Sequence, residues 1–398
     1  LQNMKKRIIA VFTGNRAEYG LQVPILRAID MHPKLEYRLI VSGAHLDKNF
    51  GQTIKEIESD GFKISAEVKI NMKKDNLFST AQAIGNCVKE TSKVLERINP
   101  NIFVVYADRF EGFAAIVAGT QMSIPTAHIE GGDITEGGAL DDSVRHAMTK
   151  LAHLHFTTNK EATRRIKTMG EESWRIHTVG FPAIDLIKNN EFTDKKTLIK
   201  KYKLSTKKPI LLVTQHSVAT EFKDATSQIK PTLDAVIELA KKGFQFIFSY
   251  PNNDAGGKLI ISQLEKLKKK KIENVQIYKH LGRNDYYGMM NLFKKLPGVC
   301  LGNSSSGIKE TPAFNIPSID IGSRQKNRLS AQNIIKVNYN KIEIIKAIKK
   351  ATSGKFRNYC TKIKNPYGIG NSGLKIAKIL AKVKIDKKLI QKKMTIKF

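Results

Sequence analysis

The stretch Arg7-Ile8-Ile9-Ala10-Val11-Phe12-Thr13-Gly14-Asn15-Arg16-Ala17-Glu18-Tyr19-Gly20 decides how the chain is read. Arg7–Phe12 is an apolar run of strand length, Gly14 permits a tight turn, and an amphipathic pattern follows over Tyr19–Met31. A strand that turns through glycine into a helix opens a β–α–β unit, and repetition of that unit builds a parallel sheet with helices on both faces. The alternation does repeat. Glu36–Val41, Ile102–Tyr106, Pro125–Ile129 and His155–Thr158 read as strands, with helices over Phe50–Asp60, Leu77–Ile98, Phe110–Gln121 and Asp141–Leu151 between them. The pattern breaks near Gly180-Phe181-Pro182, crosses a polar stretch to Lys208, and restarts. Strands then fall at Pro209–Thr214, Gln245–Ser249, Val275–Tyr278, Gly298–Gly302 and Pro317–Ile321, separated by helices at Asp224–Lys241, Gly257–Lys271, Asp285–Lys295 and Ile308–Phe314. The fold class expected is α/β, with two Rossmann-like domains facing a cleft. Their ligands would lie beyond the carboxyl ends of the strands. The expected domains are residues 4–182 and 183–372, with a last helix at 373–383 and a flexible basic tail at 384–398.

Composition narrows the class. The 398 residues are 41% hydrophobic and 26% charged, which suits folded cores and excludes disorder over most of the length. No apolar run approaches the roughly 20 residues that cross a bilayer, and no signal-peptide core follows Lys5-Lys6-Arg7, so the expected location is cytoplasmic. Cys87, Cys300 and Cys360 are too few and too scattered for a disulfide framework or a zinc site. The net charge of +32 raises nucleic acid as a partner. No helix-turn-helix, zinc module or basic–aromatic interleaving supports that class, and the lysine excess reads as solvated helix surface.

The informative residues follow strands. Gly14 and Arg16 lie after the first strand, where a helix start and a guanidinium fork suit an anion. His45 follows the second strand in Ser42-Gly43-Ala44-His45. Asp108 and Arg109 follow Ile102–Tyr106. The densest cluster of ionisable groups is His128-Ile129-Glu130-Gly131-Gly132-Asp133 with Asp141-Asp142-Ser143-Val144-Arg145-His146. In the second half, His216 follows a strand, Gly302-Asn303-Ser304-Ser305-Ser306-Gly307 exposes backbone N–H groups before Glu310, and Arg324 follows the last strand. Phosphate-friendly loops combined with carboxylates and histidine describe a nucleotide-activated substrate handled by acid–base chemistry. There is no G-x-G-x-x-G and no P-loop, so neither nicotinamide nor kinase chemistry is indicated, and His153 and His155 read as structural rather than metal ligands.

Gly14-Asn15-Arg16-Ala17-Glu18-Tyr19-Gly20, Gly43-Ala44-His45, Asp108-Arg109, His128-Ile129-Glu130-Gly131-Gly132, Asp141-Asp142-Ser143-Val144-Arg145-His146, Gly302-Asn303-Ser304-Ser305-Ser306-Gly307 and Gly322-Ser323-Arg324-Gln325 together resemble the hydrolysing UDP-N-acetylglucosamine 2-epimerases, over roughly Lys5 to Ala381. The resemblance implies a glycosyltransferase-B-like fold whose last helix crosses back to the first domain. It implies a UDP-sugar partner, no cofactor and no metal, and a homo-dimer or homo-tetramer. Loss of UDP with inversion at C2, through a 2-acetamidoglucal, would give N-acetylmannosamine for sialic acid synthesis. A sister activity uses a UDP- or GDP-linked N,N'-diacetylbacillosamine and gives 2,4-diacetamido-2,4,6-trideoxymannose for legionaminic acid. These motifs do not separate the two sugars. Ser217-Val218-Ala219-Thr220 after His216 favours the hydrolysing branch.

By the same resemblance, Asp108, Glu130, Asp141 and His216 are the catalytic candidates. His45, Arg109, His128 and Arg145 would position substrate. Gly14, Arg16, Ser305, Ser306, Gly307, Glu310 and Arg324 would hold the nucleotide. One departure is Ala107, where the family often has glycine before the Asp-Arg pair.

Overall fold

A computed structural model describes residues 6–46, 53–70, 77–135, 140–252 and 255–396; within these, nothing is described of the side chains of Arg16, Ala17, Ala44, Leu77 and Ala219. The chain divides into two compact units. One comprises residues up to Ile134, Leu140–Asp185 and Tyr367 onward; the other holds Leu186–Pro366 with Thr135–Ala139.

In the first unit the strands are β1 Arg7–Thr13, β2 Leu35–Ser42, β3 Ile64–Val68, β4 Ile102–Tyr106, β5 Thr126–Ile129, β6 Leu154–Thr157 and β7 Ile176–Thr178. All pair in parallel, in the order β3-β2-β1-β4-β5-β6-β7. The central strands are apolar on both faces because helices cover both faces; all five residues of β4 are buried. Phe12, Phe103, Val105, Ala114 and Met148 fill one side of the sheet. The order reverses between β1 and β4, so the turns after these two strands diverge and leave room for a ligand at their carboxyl ends.

In the second unit β8 Ile210–Thr214, β9 Gln245–Ser249, β10 Val275–Tyr278, β11 Gly298–Gly302, β12 Ser318–Ile321 and β13 Ile334–Val337 form a second parallel sheet, ordered β10-β9-β8-β11-β12-β13. Leu211, Val213, Phe246, Val299 and Ile319 pack with Val236, Leu264 and Ile348 on one face. Its reversal falls between β8 and β11, where His216 and the Ser304–Gly307 loop emerge.

The helix Ser372–Lys382 packs against the helix Arg16–Asp30 in the first unit. Asp185 fixes its start by accepting the N–H groups of Ser372 and Gly373, each at 2.9 Å.

The tail corrects an expectation. Residues 384–396 are docked on the first unit instead of being flexible. The fully buried Arg175 donates to the carbonyls of Leu389 at 2.7 Å, Lys388 at 2.7 Å and Gln391 at 3.1 Å. Lys392 donates to the carbonyls of Lys150 and Ala152, at 2.5 and 2.7 Å, and reaches Glu171 at 2.8 Å. Leu389 is wholly buried. A lysine-rich composition suggested solvation, but the anchoring partners are acceptors 200 and more residues away, such as the backbone of Lys150. Among the described residues no helix is long and apolar enough to cross a membrane.

Candidate active site

The carboxyl ends of β4 and β5 carry the first half of the site. Ala107 follows β4 with φ of +56°, and Glu130 follows β5 with φ of +66°. Both lie in the left-handed region that residues with a Cβ rarely occupy, and such strain is typical of functional turns. Glycine is the usual tenant at a position like Ala107, which is why its replacement here is informative. The strained turn is held by neighbours: Ala107 N–H donates to the Ile129 carbonyl at 3.0 Å, and Glu130 N–H to the Phe156 carbonyl at 2.9 Å.

Arg145 is the hub. It projects from the helix Leu140–Leu151 and its side chain is only 2% exposed. Its guanidinium is ion-paired with Asp108 and lies 3.9 Å from both Glu130 and Asp133. Three carboxylates thus converge on one buried guanidinium. Asp133 was not among the expected residues, although it stood inside the quoted cluster. Asp141 is exposed on the first turn of the same helix, while Asp142 beside it is buried near His146.

Two expected substrate contacts turn inward. His128 is wholly buried, with Nε2 at 2.6 Å from the Ala107 carbonyl and Nδ1 at 3.2 Å from Thr149 Oγ1. A carbonyl only accepts, so Nε2 carries the proton and Nδ1 accepts from Thr149. Burial pushes this imidazole down to about 3, so it is neutral. His128 therefore braces the turn that carries Asp108 through the Ala107 carbonyl. His45 behaves alike: Nε2 lies 3.1 Å from Thr13 Oγ1 and Nδ1 2.7 Å from Thr53 Oγ1, and burial pushes it down to about 4.

Arg109 is exposed at the start of the helix Phe110–Gln121, with Nε 3.6 Å from Glu111. Gly14 places its N–H 3.1 Å from Glu18 Oε2. The Arg16 side chain lies outside the described residues.

In the second unit Asn303 organises the loops. Its Oδ1 accepts the His216 N–H at 2.6 Å and its Nδ2 donates to the His216 carbonyl at 2.9 Å. Gly302 makes this possible. Its φ is +133°, and a Cβ there would stand 2.0 Å from the Thr214 carbonyl oxygen. The Asn303 carbonyl in turn accepts from Arg324 Nη1 at 3.2 Å and Gln325 Nε2 at 2.9 Å. His216 Nδ1 accepts the Asn252 N–H at 3.0 Å, which leaves the proton on Nε2. Burial, and then the Arg324 charge, push its proton affinity far down. His216 is thus a neutral donor beside a fixed cation. Ser305, Ser306 and Gly307 are half-buried where the helix Ser306–Lys309 begins, and buried Glu310 accepts from Tyr287 Oη at 3.1 Å. Neither Asn303's organising role nor Tyr287 was expected; both depend on contacts across loops that spacing does not reveal.

Known proteins resemble this chain in sequence and in fold. A family model described as UDP-N-acetylglucosamine 2-epimerase matches residues 27–381. The chain is 34% identical over 354 residues to a GDP/UDP-N,N'-diacetylbacillosamine 2-epimerase (hydrolyzing) of Campylobacter jejuni, covering 89% of this chain and 90% of that one. It is 33% identical over 356 residues to a UDP-N-acetylglucosamine 2-epimerase of Neisseria meningitidis, covering 88% and 89%. The crystal structure of a Neisseria meningitidis UDP-GlcNAc 2-epimerase bound to UDP-GlcNAc superposes with a TM-score of 0.79 at 20% identity, covering 95% of this chain and all of that one. At that identity the likeness speaks for the fold.

Proposed function

The chain belongs to the UDP-N-acetylglucosamine 2-epimerase family, and we propose on that footing that it hydrolyses a nucleotide-linked 2-acetamido sugar with inversion at C2. The observation that carries this reading is Arg145 ringed by Asp108, Glu130 and Asp133 at the carboxyl ends of β4 and β5. The C2–H of the sugar is not strongly acidic, so its removal needs a placed base and a departing C1 substituent. A carboxylate takes the C2 proton, the C1–O bond breaks, and UDP leaves with the bonding pair, giving a 2-acetamidoglucal. Water then adds its oxygen to C1, and a proton returns to C2 from the opposite face. Asp108, Glu130 and Asp141 share these transfers, and Arg145 holds the charge of Asp108 and Glu130. His216 Nε2–H and Arg324 stabilise the leaving diphosphate. Arg16, Arg109, Gly14, Ser305, Ser306 and Gly307 complete the phosphate contacts, and Glu310 takes ribose hydroxyls.

The product in this reading is free N-acetylmannosamine for sialic acid synthesis, made in the cytoplasm by a homo-dimer or homo-tetramer. The Campylobacter relative supports a second sugar, N,N'-diacetylbacillosamine on UDP or GDP, which leads to legionaminic acid. Incubation with each nucleotide sugar, with mass and NMR analysis of the released hexosamine, decides between them. A transfer product formed only when an acceptor is added would oppose both.

A further inference from the structure

The run Thr214-Gln215-His216-Ser217-Val218-Ala219-Thr220-Glu221 supplies His216 to the chemistry above but leaves its last residue without a role. Glu221 lies in the short helical segment Ala219–Asp224 of the second unit, where its φ of −120° and ψ of +24° break the helical run. It is half-buried, and its carboxylate is used from both sides. Oε1 accepts the Ser323 hydroxyl at 2.9 Å, and Oε2 accepts Gln228 Nε2 at 2.6 Å. Ser323 stands next to Arg324 in the turn after β12. Gln228, on the helix Ala225–Ala240, accepts Gln215 Nε2 at 3.1 Å through its backbone carbonyl, and Gln215 stands next to His216 in the turn after β8.

Hydrogen bonds thus run from the neighbour of His216, through Gln228, to the neighbour of Arg324, and Glu221 is the member that joins the two loops. A carboxylate suits the junction, since each oxygen can accept a bond. The ends of the tie are pinned separately. Thr232 Oγ1 donates to Gln215 Oε1 at 2.7 Å. The Ser323 turn begins at Gly322, with φ of +80°, packed so closely on Tyr339 that an added Cβ would stand 2.1 Å from its Cζ. The two loops need a tie because β8 and β12 are not neighbours; β11 lies between them. Asn303, after β11, also reaches both loops, but it meets Arg324 at the guanidinium. The bond to Ser323 instead holds the residue adjoining the backbone from which that long side chain grows.

We propose that Glu221 is a positioning residue for the leaving diphosphate: it fixes the spacing between His216 and Arg324 by tying together the turns that carry them. This rests on the reading that those two groups meet the diphosphate. Two groups grip one ligand well when their separation is set before the ligand arrives, and a tie that sets it lowers the ordering cost of binding. Glu221 acts through its neighbours and touches no reacting atom.

The test is calorimetric titration with UDP and with GDP; whichever binds the wild type more tightly is the probe for the variants. Glu221→Ala removes both bonds and is expected to weaken nucleotide binding by about tenfold, the order of one lost charge-assisted hydrogen bond, and to raise KM more than it lowers kcat. Ser323→Ala cuts the same tie from the other loop and should weaken binding to a similar degree, so the outcome does not hang on one variant folding. Glu221→Gln keeps both bonds once the Gln228 amide turns over, and should bind within about twofold of the wild type. Arg324→Ala weakens binding by itself. On that background Glu221→Ala should cost less than about twofold more, because a spacing between two groups no longer matters when one is gone. Unchanged binding in Glu221→Ala and Ser323→Ala, no recovery in Glu221→Gln, or the full loss retained on the Arg324→Ala background would each overturn the proposal while leaving the assigned reaction intact. Failure of the wild type to bind either nucleotide would instead remove the reading on which it rests, and this proposal with it.

Discussion

Arg145 and Arg175 are both almost wholly buried in the first unit, and they do different work. Arg175 donates to the carbonyls of His153, Lys388, Leu389 and Gln391 and to Glu172, so four of its five named partners are backbone oxygens that cannot titrate. Arg145 faces the carboxylates of Asp108, Glu130 and Asp133, every one of which can gain or lose a proton. Arg175 lies with the docked tail; Arg145 stands at the ends of β4 and β5, next to the switch between β1 and β4. Burial of an arginine does not mark a site. The identity of its partners does: fixed acceptors make a clamp, and titratable ones make a place where protons can move.

The largest effect should come from the titratable side. Asp108→Asn is expected to lower UDP release by about a thousandfold, within the range of general acid–base catalysis, while UDP binding measured by calorimetry stays within a few-fold. Glu130→Gln should behave in the same way. A normal rate in both would remove the distinction between the two arginines.

Arg175→Ala comes next and tests the opposite side. It strands several buried carbonyls and Glu172, and should cost about 3 kcal/mol of unfolding free energy in urea. Its turnover per folded molecule should match the wild type, and a thousandfold loss there would show that the clamp belongs to the chemistry.

A smaller effect concerns pH. Around the clamp, burial pushes His153 and His155 down to about 4, with His155 3.1 Å from Glu171. Burial alone would raise Glu171, but its bonds to His155, Lys150 and Lys392 hold it down to about 2. Each folded histidine thus has a proton affinity below its unfolded value of about 6.5. The unfolded chain takes the proton first, so this stability is present above about pH 6.5 and is lost as pH falls toward 4. Denaturant midpoints should drop between pH 7 and pH 5, and His155→Gln should flatten that slope. An unchanged slope would mean that this cluster does not control acid sensitivity.

The smallest expected effect is Ala107→Gly. Relief of the left-handed strain, partly offset by the flexibility glycine gives the unfolded chain, should stabilise the fold by less than about 1 kcal/mol. A clear loss of stability would show that the Ala107 methyl is a packing contact.

Much of this was legible in the sequence. The central strands announce themselves as apolar runs, since helices cover both faces, and the acids that follow them must fall at strand ends. Asp108 and Glu130 were found in that way, and the family resemblance stands. The strands β3, β7 and β13 were not found. They are edge or short strands, partly exposed, so their apolar signal is weak. The partners of the His45 and His128 rings were not legible either, because Thr13, Ala107 and Thr149 lie 21 or more residues away in sequence. The docking of the tail was hidden for a similar reason: Arg175 and Lys392 bind backbone carbonyls, which every sequence has.

The most direct test of the central claim is product analysis after reaction with UDP-N-acetylglucosamine, and separately with the diacetylbacillosamine nucleotides, in deuterium oxide enriched in heavy oxygen. Elimination followed by hydration predicts UDP free of heavy oxygen, since the C1–O bond is the one broken, together with a released hexosamine of inverted C2 carrying one deuterium there. Heavy oxygen in UDP, a hexosamine without deuterium at C2, or an epimerised sugar still attached to its nucleotide would contradict it.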